Sequence, residues 1–292
     1  RNVFADRIRE LHGNPAAKAV EVAIAKALTC YAAKMHLNRG YSIVNPTREV
    51  KLGYAPTFEE VTTFDGRVQK TARLSDLTGR DRPSKPWLSG LPRLVFVSDM
   101  GDAFSRKSDF PFLKREVMGP ISSDDGQRHL WLWLTKRPNT MAQFATEIGG
   151  FPDNVCAMTT VTGNETLGRI DELRNVDARV RGLSMEPLWE RIPPKDLDLS
   201  GIDWLILGGE SGALETVRPF PIEWVKELRD HCAKNGVAFF LKQLGRKPTL
   251  NGEFIKLRNT HGGDWNEWDP DLRIREFPAY FSHYQPAMTV GR

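Results

Sequence analysis

The stretch Trp204-Leu205-Ile206-Leu207-Gly208-Gly209-Glu210-Ser211 is a short apolar run that ends abruptly in small and polar residues. Five further runs of the same form lie at residues 94–97, 130–134, 155–158, 180–183 and 238–241. An apolar run without alternation is typical of a β-strand that is covered on both faces. The pattern therefore predicts a sheet of buried, parallel strands.

Helical patterns separate several of these runs, at residues 139–145, 166–173 and 221–228. Pro221 suits the first position of a helix, and Asn235-Gly236 suits its C-terminal end. Strand–loop–helix units that repeat every roughly 25–35 residues are typical of a parallel α/β sheet. We expect a parallel (β/α) barrel, complete or partial, with an open doubly wound sheet as the alternative.

The chain outside these units divides into two further regions. Residues 1–92 are expected to form an N-terminal helix between Asn14 and Gly40, followed by a long surface connection. Residues 93–247 form the predicted α/β barrel core, and residues 248–292 a C-terminal cap that contains a hairpin turn at Asn251-Gly252.

The composition excludes several classes of protein. The 292 residues are 40% hydrophobic and 27% charged, unlike a disordered chain. A formal net charge of +4 permits an anionic partner but is small for a dedicated nucleic-acid binder. The 3 cysteines rule out a disulfide scaffold and fit a reducing compartment. Because no apolar run approaches membrane-spanning length, we expect a cytoplasmic protein without a membrane partner.

Polar residues follow almost every predicted strand, where the active sites of α/β proteins form. They are Asp99, Asp102, Thr135, Lys136, Arg137, Thr159, Thr160, Ser184, Glu186, Gly208, Gly209, Glu210, Ser211, Lys242 and Gln243. Cations hold phosphate or carboxylate groups, and acids hold an amine or ribose hydroxyls. The mixture therefore suits an anionic or zwitterionic ligand, which Gly208-Gly209 would allow to approach the backbone closely.

The remaining motifs favour structural roles. Gly208-Gly209-Glu210-Ser211 is not a complete phosphate loop, because no Lys-Ser or Lys-Thr follows it. Cys156 lies within a predicted strand and Cys232 within a predicted helix, so both are expected in the core. Trp265 and Trp268 lie in a glycine-containing loop, where they either stack on a base or plug one end of the barrel.

Several strand ends and the tail form a recognisable set. The segments are Ser98-Asp99-Met100-Gly101-Asp102, Leu134-Thr135-Lys136-Arg137-Pro138, Leu183-Ser184-Met185-Glu186-Pro187, Leu207-Gly208-Gly209-Glu210-Ser211-Gly212, Leu241-Lys242-Gln243-Leu244-Gly245 and Gly263-Asp264-Trp265-Asn266-Glu267-Trp268. In this order, over about Leu94 to Phe277, they resemble the phage three-cysteine-motif family, which is largely uncharacterised.

This resemblance implies a barrel similar to that of radical S-adenosylmethionine enzymes, with S-adenosylmethionine and a four-iron cluster as cofactors. In that family three cysteines bind the cluster, and Cys30-Tyr31-Ala32 matches the end of their motif, so Cys30 is the candidate metal ligand. Ala27 stands where the preceding cysteine is expected. Since one cysteine cannot hold such a cluster, either this member has lost it, which we expect, or the remaining ligands lie in a segment before Arg1.

We assign site roles on this basis. Glu186 and Lys242 are the candidate catalytic residues, and Glu186 would orient a group or exchange a proton. The candidate cofactor contacts are Gly208, Gly209, Glu210, Ser211 and Ser184. The candidate substrate contacts are Asp99, Asp102, Thr135, Lys136, Arg137 and Gln243.

Three functions compete. The leading hypothesis is a phage-associated, radical S-adenosylmethionine-like enzyme that modifies an unknown small molecule, peptide or nucleic acid with an anionic group. The second is a catalytically silent barrel that binds a nucleotide or nucleic acid, in complex with a partner protein from a phage operon. The third is a metal-dependent hydrolase that uses Asp99, Asp102, Glu186 and Glu210.

Overall fold

The computed structural model describes residues 61–98 and 101–284. These residues fall into two units, one of which contains residues 61–67, Ser98 and Gly101. The other unit contains Val68–Val97 and residues 102–284, and it carries both β-sheets. The predicted N-terminal helix, Cys30 and Asp99 lie outside the described residues.

The main sheet has six parallel strands and curls into a half-barrel. The strands of the described chain are β1 Arg93–Val97, β2 His129–Thr135, β3 Val155–Thr160, β4 Val180–Met185, β5 Trp204–Gly208, β6 Phe220–Pro221, β7 Ala238–Gln243, β8 Pro248–Leu250 and β9 Glu253–Phe254. The main sheet has the order β1-β2-β3-β4-β5-β7, and a small second sheet has the order β6-β8-β9. All six predicted strands are confirmed. Their sequential order differs from a doubly wound sheet, in which the order reverses at a switch point.

The helices of the described chain lie mostly between these strands. They are α1 Arg67–Ala72, α2 Phe110–Phe112, α3 Gly119–Ser122, α4 Asp124–Gln127, α5 Pro138–Ile148, α6 Gly168–Arg174, α7 Ile222–Asn235 and α8 Ala279–His283. As predicted, α7 ends at Gly236, whose φ of 69° is the left-handed conformation that glycine adopts most easily. Pro221 caps this helix from outside rather than occupying its first position. None of these helices has the length and apolar content needed to cross a membrane.

The two faces of the half-barrel are buried differently. Alternate strand residues, including Trp133, Leu183 and Leu207, pack against α5, α6 and α7 in the larger apolar cluster. The residues between them, including Met158, point to the opposite face, which we call the inner face. At the amino-terminal part of the strands this inner face packs against Phe281, which lies in α8. The four strands β2 to β5 are therefore covered on both faces along most of their length, whereas Phe96 in the edge strand β1 is 46% exposed.

A π-helix connects β1 and β2, and the sequence pattern did not predict it. Leu113–Met118 forms this wider turn between α2 and α3. The Gly119 amide donates a hydrogen bond to the Lys114 carbonyl, five residues back. Pro120 has no amide hydrogen, so it cannot continue an α-helical hydrogen-bond ladder at the next position. The helix accommodates the missing donor by widening.

Close packing at Gly126 holds this connection against the sheet. A Cβ atom at Gly126 would lie 2.0 Å from the Pro120 carbonyl oxygen and 2.5 Å from that of Ile121. The Gly126 carbonyl accepts hydrogen bonds from Trp131 Nε1 at 2.9 Å and Asn154 Nδ2 at 3.1 Å. The glycine therefore allows a close backbone contact whose carbonyl holds Trp131 of β2 and Asn154, the residue before β3.

We predict that Gly126→Ala destabilises the fold by about 2 kcal/mol or more, because its methyl group would clash with backbone atoms that cannot rotate away. Gly168→Ala is the matched control, since a Cβ atom there meets nothing within 4 Å. Urea unfolding of both variants checks the prediction. Equal stability of the two variants would contradict this packing.

His129 is buried in the main sheet, and its Nε2 lies 3.0 Å from the Ala72 carbonyl oxygen. Burial lowers the pKa of His129 below its ordinary value. Below a pH of about 6.5 the unfolded chain therefore takes up a proton at this residue more readily than the folded chain does. The folded state loses stability as the pH falls through this window.

We predict that the free energy of unfolding falls more steeply from pH 7.5 to pH 5.5 in the wild type than in His129→Gln, which keeps a donor but does not titrate in this range. Urea unfolding at several pH values measures both slopes, with His261→Gln at an exposed histidine as the control. Identical slopes for the wild type and His129→Gln would show that His129 does not cause this dependence.

Candidate functional site

The strand register brings several predicted site residues to the carboxyl edge of the half-barrel. Thr160 lies opposite Ser184 in β3 and β4, and Gly208 lies opposite Gln243 in β5 and β7. The register between β5 and β7 shifts between Leu207 and Gly208. Because all neighbouring strands are parallel, their carboxyl ends meet at one edge.

Glu186 and Lys242 form an ion pair at this edge. The Lys242 Nζ lies 2.7 Å from Oε1 and 2.8 Å from Oε2 of Glu186. The Lys242 side chain is 53% exposed and the Glu186 side chain 18% exposed. The ammonium group therefore faces solvent while its carboxylate partner is largely covered.

Gln243 connects the end of β7 to the loop after β5. Its Nε2 donates to the Gly209 carbonyl at 3.0 Å and to the Ser211 hydroxyl at 2.8 Å. A Cβ atom at Gly208 would lie 3.1 Å from Glu186 Cγ and 3.4 Å from Gln243 Cγ. Glu186, Gly208, Gln243 and Ser211 therefore form one packed group, with Lys242 joined to it through Glu186.

Gly209 contacts the backbone of this chain. A Cβ atom there would lie 2.4 Å from the Leu244 carbonyl oxygen, and one at Gly245 would lie 2.6 Å from the Gly209 carbonyl carbon. The position expected to admit a ligand is thus filled by the loop after β7. Gly209 and Gly245 allow the loops after β5 and β7 to pack backbone against backbone.

Glu210 is held by Arg218 rather than left open. Its Oε2 accepts from Arg218 NH1 at 3.0 Å and from the Arg218 backbone amide at 3.1 Å. The Arg218 guanidinium also lies 4.7 Å from the centre of the Trp189 ring. The Glu210 carboxylate is therefore bound by Arg218, which lies in the same loop after β5.

Asp102, Thr135 and Arg137 form a second cluster, at the end of β2. Asp102 accepts from the Thr135 hydroxyl at 2.8 Å, the Lys136 amide at 3.0 Å and Arg137 NH1 at 2.9 Å. The Lys136 ammonium has no ion-pair partner among residues 61–98 and 101–284. Within the same residues, no hydrogen bond or ion pair joins this cluster to the Glu186–Lys242 group.

Two hydroxyls lie between these clusters on the inner face. Ser184 is 6% exposed and Thr160 is 5% exposed, and they are neighbours across β3 and β4. Their positions along the strands alternate with the helix-facing residues, so they face the same side as Met158. Neither hydroxyl has a hydrogen-bond partner in the described part of the chain. Neither oxygen is among the enclosed side-chain atoms that lack a partner in the described residues, so both hydroxyls are open to water at the inner face, where a ligand can reach them.

Arg275 is a residue of this region that the sequence did not single out. Residues 274–276 run antiparallel to β7, with Phe240 paired to Arg275. The Arg275 side chain donates to the carbonyls of Leu241, Lys242 and Gly263. Burial lowers its pKa to about 10, and the nearby Asp264 carboxylate opposes this shift. No sequence signal could reveal its place, because that place depends on pairing of the tail with the edge of β7.

The cysteines of the described residues are core residues, as predicted. Cys156 and Cys232 are free and buried. Burial, together with nearby Asp203, raises the pKa of Cys156, while burial and Glu276 raise that of Cys232 to about 12. Both therefore stay as thiols. No group of three or more histidine, cysteine, aspartate or glutamate side chains is placed to hold a metal ion in the part of the chain that the structure describes.

Comparison with known proteins gives one match. No curated protein and no solved structure matches this chain. A family described as "Protein of unknown function (DUF5131)" matches residues 16–269, which include the whole half-barrel and both polar clusters. The chain therefore belongs to the DUF5131 family of proteins of unknown function.

Proposed function

We propose that this chain is a ligand-binding barrel of the radical S-adenosylmethionine-like type, which holds a small zwitterionic or anionic molecule at its carboxyl edge. The observation that carries the proposal is the pair of neighbouring hydroxyls, Thr160 and Ser184, which are open to a ligand on the inner face beside the strand end that leads to the Glu186–Lys242 ion pair. A nucleoside that carries an amino acid group matches this combination of charges and hydroxyls.

Lys242 is suited to bind the anionic part of the ligand. Its half-exposed ammonium has three donors, and Glu186 leaves it accessible to solvent. A ligand carboxylate or phosphate can join this ion pair without leaving an unpaired buried charge. Glu186 can in turn accept from a ligand amine, while the Thr160 and Ser184 hydroxyls serve as donors or acceptors for ribose hydroxyls.

A four-iron cluster does not fit the thiols of this chain. The cluster needs three thiolates if S-adenosylmethionine is to bind the fourth iron. The sequence has 3 cysteines, of which Cys156 and Cys232 are buried as thiols in the core. Among the residues of this sequence Cys30 alone is left, so we assign ligand binding to the carboxyl-edge residues. An association with phage proteins stays a prediction of the resemblance.

The carboxylates also give little support to a metal-dependent hydrolase. Asp102, Glu186 and Glu210 are each paired with a different cation: Arg137, Lys242 and Arg218. Each pair neutralises the carboxylate that a metal ion would need. Asp99 lies outside the described residues.

We predict that Lys242→Met weakens binding of S-adenosylhomocysteine, used as a stable zwitterionic probe, by about tenfold or more, because it removes a charged hydrogen-bond donor. Lys226→Met is the matched control, since Lys226 forms a comparable exposed ion pair with Asp271. Isothermal titration calorimetry measures both. Ser184→Ala is expected to weaken binding as well.

Stability separates a binding effect from a folding effect in this experiment. The Glu186–Lys242 pair is partly exposed, so its loss is expected to cost less than about 1 kcal/mol of folding free energy. No binding to the wild type, or equal binding by Lys242→Met and Lys226→Met, would contradict a role for Lys242.

We predict that anaerobic incubation of this chain with iron and sulfide yields no stoichiometric four-iron cluster, because its thiols supply too few ligands. Absorbance and iron content measure cluster formation, and the conversion of S-adenosylmethionine to deoxyadenosine measures turnover. One cluster per chain together with deoxyadenosine formation would restore the enzyme hypothesis.

A further inference from the structure

A cleft of about 590 Å³ lies between the loop before β1 and the loop at residues 263–266, and it shares no lining residue with the carboxyl-edge site. Its lining residues are Pro83, Ser84, Pro86, Trp87, Gly263, Asp264, Trp265 and Asn266. This volume lies within the usual range of small-ligand sites, about 300–1,000 Å³. The cleft combines aromatic walls with a polar rim.

The aromatic walls of the cleft, Trp87 and Trp265, are held in place by contacts with each other and with Arg275. The Trp87 and Trp265 rings meet edge to face, with centroids 4.6 Å apart and planes at 64°. The Arg275 guanidinium lies 4.0 Å from the Trp87 ring centre and 5.2 Å from that of Trp265. Since Arg275 is itself bound to three backbone carbonyls, the two indoles are arranged before any ligand arrives.

The rim offers hydrogen-bond acceptors. Asp264 Oδ1 accepts from the backbone amide and the side-chain amide of Asn266, each at 3.0 Å. Within the described residues, the other Asp264 carboxylate oxygen and the Ser84 hydroxyl have no hydrogen-bond partner. A neutral ring with an exocyclic amino group would satisfy the free oxygen.

The loop that lines one side of the cleft carries an exposed cation, Lys85, which does not itself line the cleft. Lys85 lies between the lining residues Ser84 and Pro86 and is exposed. Its ammonium has no ion-pair partner in the part of the chain that the structure describes. The long, flexible Lys85 side chain is thus free to turn towards an anionic group on a ligand bound in the cleft.

We propose that this cleft binds a nucleobase that carries a phosphate. The base stacks on the Trp265 indole, its exocyclic amino group donates to Asp264, and its phosphate lies near Lys85. Base stacking on an aromatic side chain tolerates different bases, because every base has a π-face. A free nucleotide and a single-stranded nucleic acid share this chemistry. A proline-rich peptide is the competing occupant of a Trp–Pro groove, but it offers no anionic group to Lys85.

The test uses the full chain with two probes: adenosine monophosphate in calorimetry and a fluorescent 12-residue oligodeoxyadenylate in anisotropy. Trp265→Leu is expected to weaken binding by roughly 5-fold to 100-fold, whereas Trp265→Phe keeps most of it because a ring remains. Lys85→Met is expected to weaken binding and to lower its salt dependence. Trp189→Leu is the matched control, since Trp189 also contacts an arginine and is 47% exposed.

The probes distinguish the two sources of the base. Binding of the mononucleotide supports a free nucleotide, and binding of the oligonucleotide alone supports a single strand. The proposal fails if Trp265→Leu binds like the wild type, if neither probe binds, or if a decaproline peptide binds in their place. If Lys242→Met loses nucleotide binding while Trp265→Leu keeps it, the nucleotide binds at the carboxyl edge. This result would also contradict nucleotide binding in the cleft.

Discussion

The parallel register of the six-stranded sheet determines both how its core packs and which polar side chains become neighbours. It sets Thr160 opposite Ser184 and Gly208 opposite Gln243. A slip of one residue in any strand would exchange its inner-face and helix-facing side chains. Because both faces are apolar and packed over most of their length, such a slip would expose core residues and bury polar ones. The register that stabilises the core therefore also decides which polar groups meet at the carboxyl edge.

The loops after β5 and β7 extend this order beyond the strands. Loops that follow strands are commonly mobile. Here Gly245, with a φ of 75°, lies so close to Gly209 that no side chain fits between their backbones. The Arg246 amide donates to the Glu210 carbonyl at 2.8 Å, and the Leu244 amide donates to the Gly262 carbonyl at 2.9 Å. The segments that contain Gly209, Gly245 and Gly262 are thus packed and hydrogen-bonded to one another. Such fixed loops are preorganised to bind a ligand.

Much of this fold could be predicted from the sequence, because each strand and helix is encoded by a pattern of adjacent residues. Each buried strand is an unbroken apolar run, and the register then follows from neighbouring strands of similar length. The sequence predicted that Glu186 and Lys242 lie at the same edge of the sheet, but not that they form an ion pair. The structure corrected the interpretation of Gly209, whose open side is filled by backbone, and of Glu210, which Arg218 holds.

The rest could not be predicted, because it depends on contacts between distant segments. Arg275 reaches the rings of Trp87 and Trp265 only after the tail has paired with β7. The π-helix depends on how Pro120 is accommodated against the sheet. Neither leaves a periodic pattern in the sequence, and each is stabilised by packing rather than by local preference.

A crystal structure of this chain soaked with S-adenosylhomocysteine would show whether a zwitterionic nucleoside occupies the inner face of the half-barrel. The half-barrel is expected to show ligand density within hydrogen-bond distance of the Ser184 hydroxyl and the Lys242 ammonium. Density in which another segment of this chain satisfies the Ser184 and Thr160 hydroxyls, with the soaked ligand absent or bound elsewhere, would contradict this expectation.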